Sequence, residues 1–282
     1  MFHLPVMVKE VIDYLYHGDG IYLDCTAGGG GHLSHLLAKL DRGRIVAIDQ
    51  DPDAIQYLRG RFQDPRLTIV HGNFSNLSRL SKRLGIEGYD GILFDLGLSR
   101  HQIETSGRGF SFERDGPLDM RMDPSLPLTA RDLIRRSTRR ELSAIIRSFG
   151  EDPRSGVLAR IIWQNRKRIE TTFDLRRLIE QTTLRRYRKK TLHRVFQAFR
   201  IAVNHELDNL KIGLDSAYQL LNREGRIVCI SYHSLEDRIV KRRFKSWPGF
   251  ETLTPKPVRP TEEEKEENPS SRSARLRAGR RL

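Results

Sequence analysis

IYLDCTAGGGGHL (21–33) is a short apolar run that ends in four glycines and opens into a helical pattern reaching Leu40. A strand that turns into a helix through glycines is the opening unit of a doubly wound α/β domain. The alternation repeats outward from it. RIVAIDQ (44–50), LTIVHGN (67–73) and YDGILFDLG (89–97) read as strands, with helices over PDAIQYLRGRF (52–62) and about 75–84 between them; Pro52 takes a favoured first-turn position. Short strands alternating with helices imply right-handed crossovers and a parallel sheet covered on both faces. RIVCISYH (226–233) is a fifth strand, preceded by a helix over 206–221 and followed by one from about Ser234 to Trp247. SARLRAGRRL (273–282) reads as a closing antiparallel strand, or alternatively as an arginine-rich mobile arm. The expected class is α/β, Rossmann-like, with a mostly parallel sheet.

The pattern breaks after the fourth strand. Residues 98–130, rich in Gly, Pro, Asp and Arg, read as a long functional loop. Residues 130–204 show helical spacing only, as in Leu142, Ile145 and Ile146 or Val157, Leu158, Ile161 and Ile162. We therefore expect a discontinuous core, 1–107 with 205–282, and an insertion, 108–204, made of the loop and an all-helical subdomain. PKPVRPTEEEKEENPSS (255–271) is charged and Pro-rich and reads as a linker.

Charge sets the insertion apart. The 282-residue chain carries +14, and 20 Lys and Arg against 7 Asp and Glu between Arg131 and His205 put +13 in that stretch. Such a concentration attracts polyanions, and nucleic acid is the expected partner of the insertion. No apolar run is long enough to span a bilayer, and the N-terminus lacks the pattern of a signal peptide. Two cysteines in apolar settings fit a reducing compartment, so a cytoplasmic location is expected.

The glycine turn does not meet the dinucleotide fingerprint G-x-G-x-x-G, because from Gly28 the last position is Leu33. What remains resembles the D/E-x-x-x-G-x-G loop of class I methyltransferases, where glycines admit the methionine end of S-adenosylmethionine. Asp49 closes the second strand, placed to accept hydrogen bonds from two ribose hydroxyls, while Asp51 suits a helix cap. Phe74 stands either over an adenine ring or in the core. Asp95, in DLGLS (95–99), ends the fourth strand, where ligands of such sheets bind. Amino-group methyltransferases carry an acid or amide there, followed by two prolines and an aromatic; this chain keeps only the acid. An acceptor on an exocyclic amine helps the nitrogen pyramidalise and aim its lone pair. Methylation of cytosine C5 would need a cysteine nucleophile, and neither Cys25 nor Cys229 has the position for one. The nine histidines form no metal-ligand spacing, so no metal is expected. His233 either lines a base pocket or is structural.

DCTAGGGGH (24–32), AIDQDP (47–52), GNFSNL (72–77), DGILFDLGLS (90–99), GFSFERDGPLDMRMD (109–123), RVFQAFRIAVNHEL (194–207), ISYHSLEDRIVKRRF (230–244) and ENPSSRSARLR (267–277), with HLPVM (3–7), make the chain resemble the bacterial small-subunit ribosomal RNA cytosine-N4 methyltransferases, the MraW or RsmH family, from end to end. The resemblance implies S-adenosylmethionine as cofactor and N4 of a cytidine in the decoding region of 16S rRNA as target. It implies cofactor contacts at Gly30, Gly31, His32, Asp49, Phe74, Asp95 and Gln102, and a helical insertion that helps hold RNA. Ala27 and Gly29 depart from bulkier residues common in the family. Asp95, Asp119 and His233 are the candidate proton acceptors, and Phe110 and Phe112 are candidates to stack on an extruded base. The competing readings are a nicotinamide oxidoreductase on a similar fold and a non-catalytic RNA-binding assembly factor.

Overall fold

The structure, a computed structural model, describes residues 4–104 and 107–282. His3 of HLPVM, and residues 105 and 106 of the expected loop, lie outside them. The chain forms two compact units: the stretch ending at Ser99 together with Leu207–Leu282, and Arg100–Glu206. The composition-based junctions at 107/108 and 204/205 differ from these by eight and two residues, the first because a short helix follows Ser99 directly.

In the first unit, α1 (Val8–Leu15) leads to β1 (Ile21–Asp24), α2 (Gly31–Leu37), β2 (Arg44–Asp49), α3 (Pro52–Arg61), β3 (Leu67–His71), α4 (Leu77–Leu84) and β4 (Tyr89–Asp95). In the second unit follow α5 (Arg100–Glu104), α6 (Ala130–Arg136), α7 (Arg139–Gly150), α8 (Ser155–Asn165), α9 (Thr172–Gln181) and α10 (Arg188–Asn204). The first unit then resumes with α11 (Glu206–Gln219), β5 (Leu221–Ser231), α12 (Ser234–Ser246), β6 (Phe250–Thr252), α13 (Glu262–Glu267) and β7 (Arg275–Arg281). The helix α11 itself begins one residue before the junction.

The seven strands run in the order β3-β2-β1-β4-β5-β7-β6. Strands β1 to β5 are parallel and β7 is antiparallel to both of its neighbours. Parity explains the continuous apolar strands. Leu23, Val46, Ile48, Ile227 and Cys229 enter one core, while Tyr22, Ile45, Ala47, Val228 and Ile230 enter the other, on the opposite face. A strand buried on both sides has no polar face to show. This is the doubly wound, mostly parallel α/β architecture that the sequence predicts, closed by an antiparallel strand. Among the described residues no helix is long and apolar enough to cross a membrane.

Two expectations for the C-terminal region are corrected. The 255–271 stretch is not a bare linker: Thr261 caps α13 by accepting from the Glu264 N–H, and three glutamates sit in the first turn, where the helix dipole favours them. Glu264 Oε1 then accepts from the Met7 N–H at 2.6 Å, and Asn268 Nδ2 donates to the Leu4 carbonyl. Composition hid this because the anchors lie more than 250 residues away in sequence. The final arginines are no mobile arm either. β7 is an inner strand, and Arg277, 5% exposed, donates to Asp237 at 2.6 Å while Arg280 pairs with Glu224 and Glu251.

The second unit is helical, as the spacing over 130–204 requires. Leu142 and Ile146 of α7, Leu158 and Ile162 of α8, Leu175 and Ile179 of α9 and Val195, Phe196 and Phe199 of α10 are among its buried residues. Thr129, Thr138 and Thr171 each start a helix with a capping box closed by Asp132, Glu141 and Asp174. Buried Asn204 receives the Met122 N–H and donates to the Met120 carbonyl, both at 2.7 Å, which fixes the irregular segment before α6.

Candidate active site

The site is built where β1, β2 and β4 end side by side. The Asp24 carboxylate accepts from the Thr26 N–H and turns the chain out of β1. Thr26 Oγ1 accepts from the Asp95 N–H at 2.7 Å, tying the glycine turn to the end of β4. The Gly28 N–H donates to Asp49 Oδ2 and the Asp51 N–H to Asp49 Oδ1, each at 2.8 Å, tying the turn to the end of β2. The Gly72 N–H donates to the Asp49 carbonyl, which sets the HGNF turn beside it. Glycines 28–31, Asp49 and Asp95 therefore meet at one edge of the sheet.

The glycines do different jobs. At Gly28, with φ +50°, a Cβ would meet only the Thr26 carbonyl oxygen at 3.9 Å, so the left-handed backbone rather than crowding calls for glycine there. At Gly30 (φ +74°) a Cβ would stand 2.5 Å from the Phe62 ring, and at Gly31 2.8 Å from Pro5. Those two glycines serve close packing within the unit, and any ligand contact they make is through their backbone. Gly30→Ala combines a left-handed backbone with an overlap against an aromatic ring. It is expected to cost about 2–4 kcal/mol, read from urea unfolding. A change below about 0.5 kcal/mol would show that the turn is not held as described.

Asp95 is the focus of the site. Its carboxylate is 20% exposed; Oδ1 accepts from the Tyr232 hydroxyl at 2.9 Å, and Oδ2 lies 3.6 Å from His32 Nδ1. His32 Nε2 is 2.8 Å from the Val6 carbonyl. A carbonyl only accepts, so Nε2 carries the proton and Nδ1 turns its lone pair toward Asp95. Burial lowers the His32 pKa and keeps the ring neutral. Burial, aided by the Asp95 charge, raises the Tyr232 pKa well above normal and keeps it a donor. Asp24, 2% exposed, is pushed to about 7 by burial, and Asp49 to about 6.

The other expected residues have partners of their own within their units. Phe74 packs edge-on against Phe94 with centroids 5.5 Å apart and belongs to the core. His233 caps α12: its Nδ1 accepts weakly from the Glu236 N–H at 3.4 Å, while Glu236 reaches back to the Tyr232 and His233 N–H groups. It thus has a structural duty. Asp119 belongs to the helical unit, where Arg121 holds it through two hydrogen bonds. Gln102 is buried in the same unit. Phe110 and Phe112 are buried too, Phe112 against Phe196 and His193, so neither ring is presented for stacking on a base. Tyr232 was not singled out by its residue type. Strand register could have found it: Asp95 pairs with Ile230, two residues before Tyr232 and on the same face.

The MraW methylase family matches this geometry's sequence over residues 1–282. The chain belongs to that family. A protein named ribosomal RNA small subunit methyltransferase H from Thermotoga neapolitana is 44% identical over 98% of this chain and 95% of its own length. One of the same name from Brevibacillus brevis is 41% identical over 99% of this chain and 98% of its own. Among solved structures, an rRNA methylase from Streptococcus thermophilus, 11% identical, covers 98% of this chain and 93% of its own with a TM-score of 0.42. The sequence matches carry the assignment. As an MraW methylase the chain is an S-adenosylmethionine-dependent methyltransferase, and the glycine turn beside the Asp49 carboxylate suits that cofactor's polar groups.

Proposed function

We propose that this chain methylates ribosomal RNA of the small subunit, at the exocyclic N4 amino group of a cytidine in the decoding region of 16S rRNA. One observation carries the reading: the Asp95 carboxylate, held by Tyr232, stands beside the glycine turn with no usable thiol in the site. Cys25 and Cys229 are both buried, and burial raises both thiols well above their ordinary range. A C5 mechanism needs a thiolate, so a direct displacement on nitrogen fits better. The names of the relatives support ribosomal RNA as the substrate, and the cytidine N4 target follows the sequence resemblance.

S-adenosylmethionine, when bound, supplies an electrophilic methyl group. Gly30, Gly31, His32, Asp49, Phe74, Asp95 and Gln102 are the residues proposed to hold it, Gln102 and Phe74 on resemblance alone. Asp49 has lone pairs left for hydroxyl donors after taking two backbone N–H groups. Asp95 accepts from the amino group, favours its pyramidal form and takes the proton that the methylated nitrogen sheds. Asp119 and His233 stay secondary candidates, since each already has a structural partner. Incubation with S-adenosylmethionine labelled in the methyl group is expected to put label into small-subunit RNA. Label confined to DNA or protein would refute the reading.

A further inference from the structure

We propose that the groove between α7 and α8 holds a single strand of RNA, with phosphates on four arginines and a base on Trp163. This rests on the ribosomal RNA reading and gives the substrate strand a path within the helical unit. The groove has a volume of about 670 Å³, and Arg139, Arg140, Arg147, Gly156, Val157 and Arg160 are among the residues that line it.

Three observations point to a phosphodiester chain. The first is the state of the cations. Several arginines elsewhere in this unit pair with acids: Arg121 with Asp119, Arg131 and Arg135 with Glu170, Arg176 with Glu180, Arg177 with Asp174 and Arg194 with Asp152. Among the described residues no such ion pair involves Arg139, Arg140, Arg147 or Arg160, all four are exposed, and no acidic residue lines the groove. Four like charges facing one channel repel one another unless an anion lies between them.

The second is where two of them sit. Arg139 and Arg140 are the first residues of α7, whose cap is Thr138 with Glu141. The positive end of the helix dipole disfavours cations there, so helix stability does not explain them. A ligand of opposite charge does.

The third lies just past the groove's end. Trp163 is seven residues beyond Gly156 on α8, on the same helix face and two turns beyond that lining residue. It is 36% exposed, with the Arg166 guanidinium 4.3 Å from its ring centroid. Val157, 45% exposed, adds an apolar residue to the groove lining itself. Backbone charges flanked by a stacking surface are what single-stranded RNA needs; a duplex hides its base faces.

The test is fluorescence anisotropy of a 5′-fluorescein 16-nucleotide single-stranded RNA against the full chain, over a salt series. Arg140→Ala, Arg147→Ala and Arg160→Ala combined should weaken binding at least tenfold and lower the slope of log affinity against log salt by about 2, since each single-strand phosphate contact contributes about 0.7. Trp163→Ala should weaken binding roughly tenfold with the slope unchanged, because stacking releases no counterions. Hydrogen exchange on the wild-type protein guards against a folding artefact, and bound RNA should protect the backbone over 139–163. If the RNA binds but the triple variant matches wild type in affinity and slope, or exchange over 139–163 is unaltered, the groove proposal is overturned and the methyltransferase reading stands. If no RNA binds the wild-type chain, both fall.

Discussion

An Asp95→Asn enzyme is expected to fold normally and to lose on the order of 10²–10⁴-fold in kcat/KM for methyl transfer to RNA. The amide keeps the shape of the carboxylate, its oxygen can still accept from Tyr232, and its NH2 can donate to the lone pair of His32 Nδ1. What it cannot do is take a proton from the amine. Steady-state kinetics with circular dichroism would check this, and an undiminished rate in a folded variant would remove Asp95 from the chemistry. Tyr232→Phe separates positioning from catalysis. Its loss should be smaller, and the acidic limb of the pH–rate profile should move to higher pH, since a carboxylate without its donor holds a proton more readily. A purely structural tyrosine would leave the profile where it is.

The second large effect concerns stability. Asp24 is fully enclosed and its carboxyl is pushed to about 7, chiefly by burial. In the unfolded chain the same group titrates near 4. Below that value it is protonated in both states and costs nothing. As the pH rises toward 7, the folded protein must retain a proton that the unfolded chain has released, so this contribution to stability is lost across that window. A shift of about 3 units corresponds to roughly 4 kcal/mol, an upper bound because the group is coupled to Asp49, Asp95 and His32. Asp24→Asn cannot ionise, and its side-chain oxygen can still accept from the Thr26 N–H. The variant should come within about 1 kcal/mol of wild type near pH 4.5 and exceed it by several kcal/mol at pH 8, read from urea unfolding at both values. Parallel pH curves would contradict the burial of an acid there. A smaller fall with pH persists in the variant, since Asp49 is also raised, to about 6.

These expectations concern residues of unequal legibility. Strands β1, β2, β4 and β5 could be read because burial on both faces makes them apolar runs bounded by Gly, Asp or Asn, while β3, at the sheet edge with only Val70 buried, was read from its β-branched LTIV. Strand β6, three residues long, has no such run. The α13 segment was misread because its stability comes from a cap and from Met7 and Leu4, none of which local composition reports. In the site, Gly28, Asp49 and Asp95 were legible from their places at strand ends, which topology dictates. Tyr232 was hidden beside the more suggestive His233, and only the hydrogen bond across β4 and β5 distinguishes them. Phe110 and Phe112 looked exposed because they lie in a polar segment, yet tertiary packing buries both.

The measurement that bears most directly on the whole account is nucleoside analysis of 16S rRNA, with and without this protein, by chromatography coupled to mass spectrometry. Retention and fragmentation separate methylation on N4 from methylation on C5. The account predicts an N4-methylated cytidine that depends on the protein and is lost with Asp95→Asn. A C5-methylated product, or RNA identical in both samples, would contradict it.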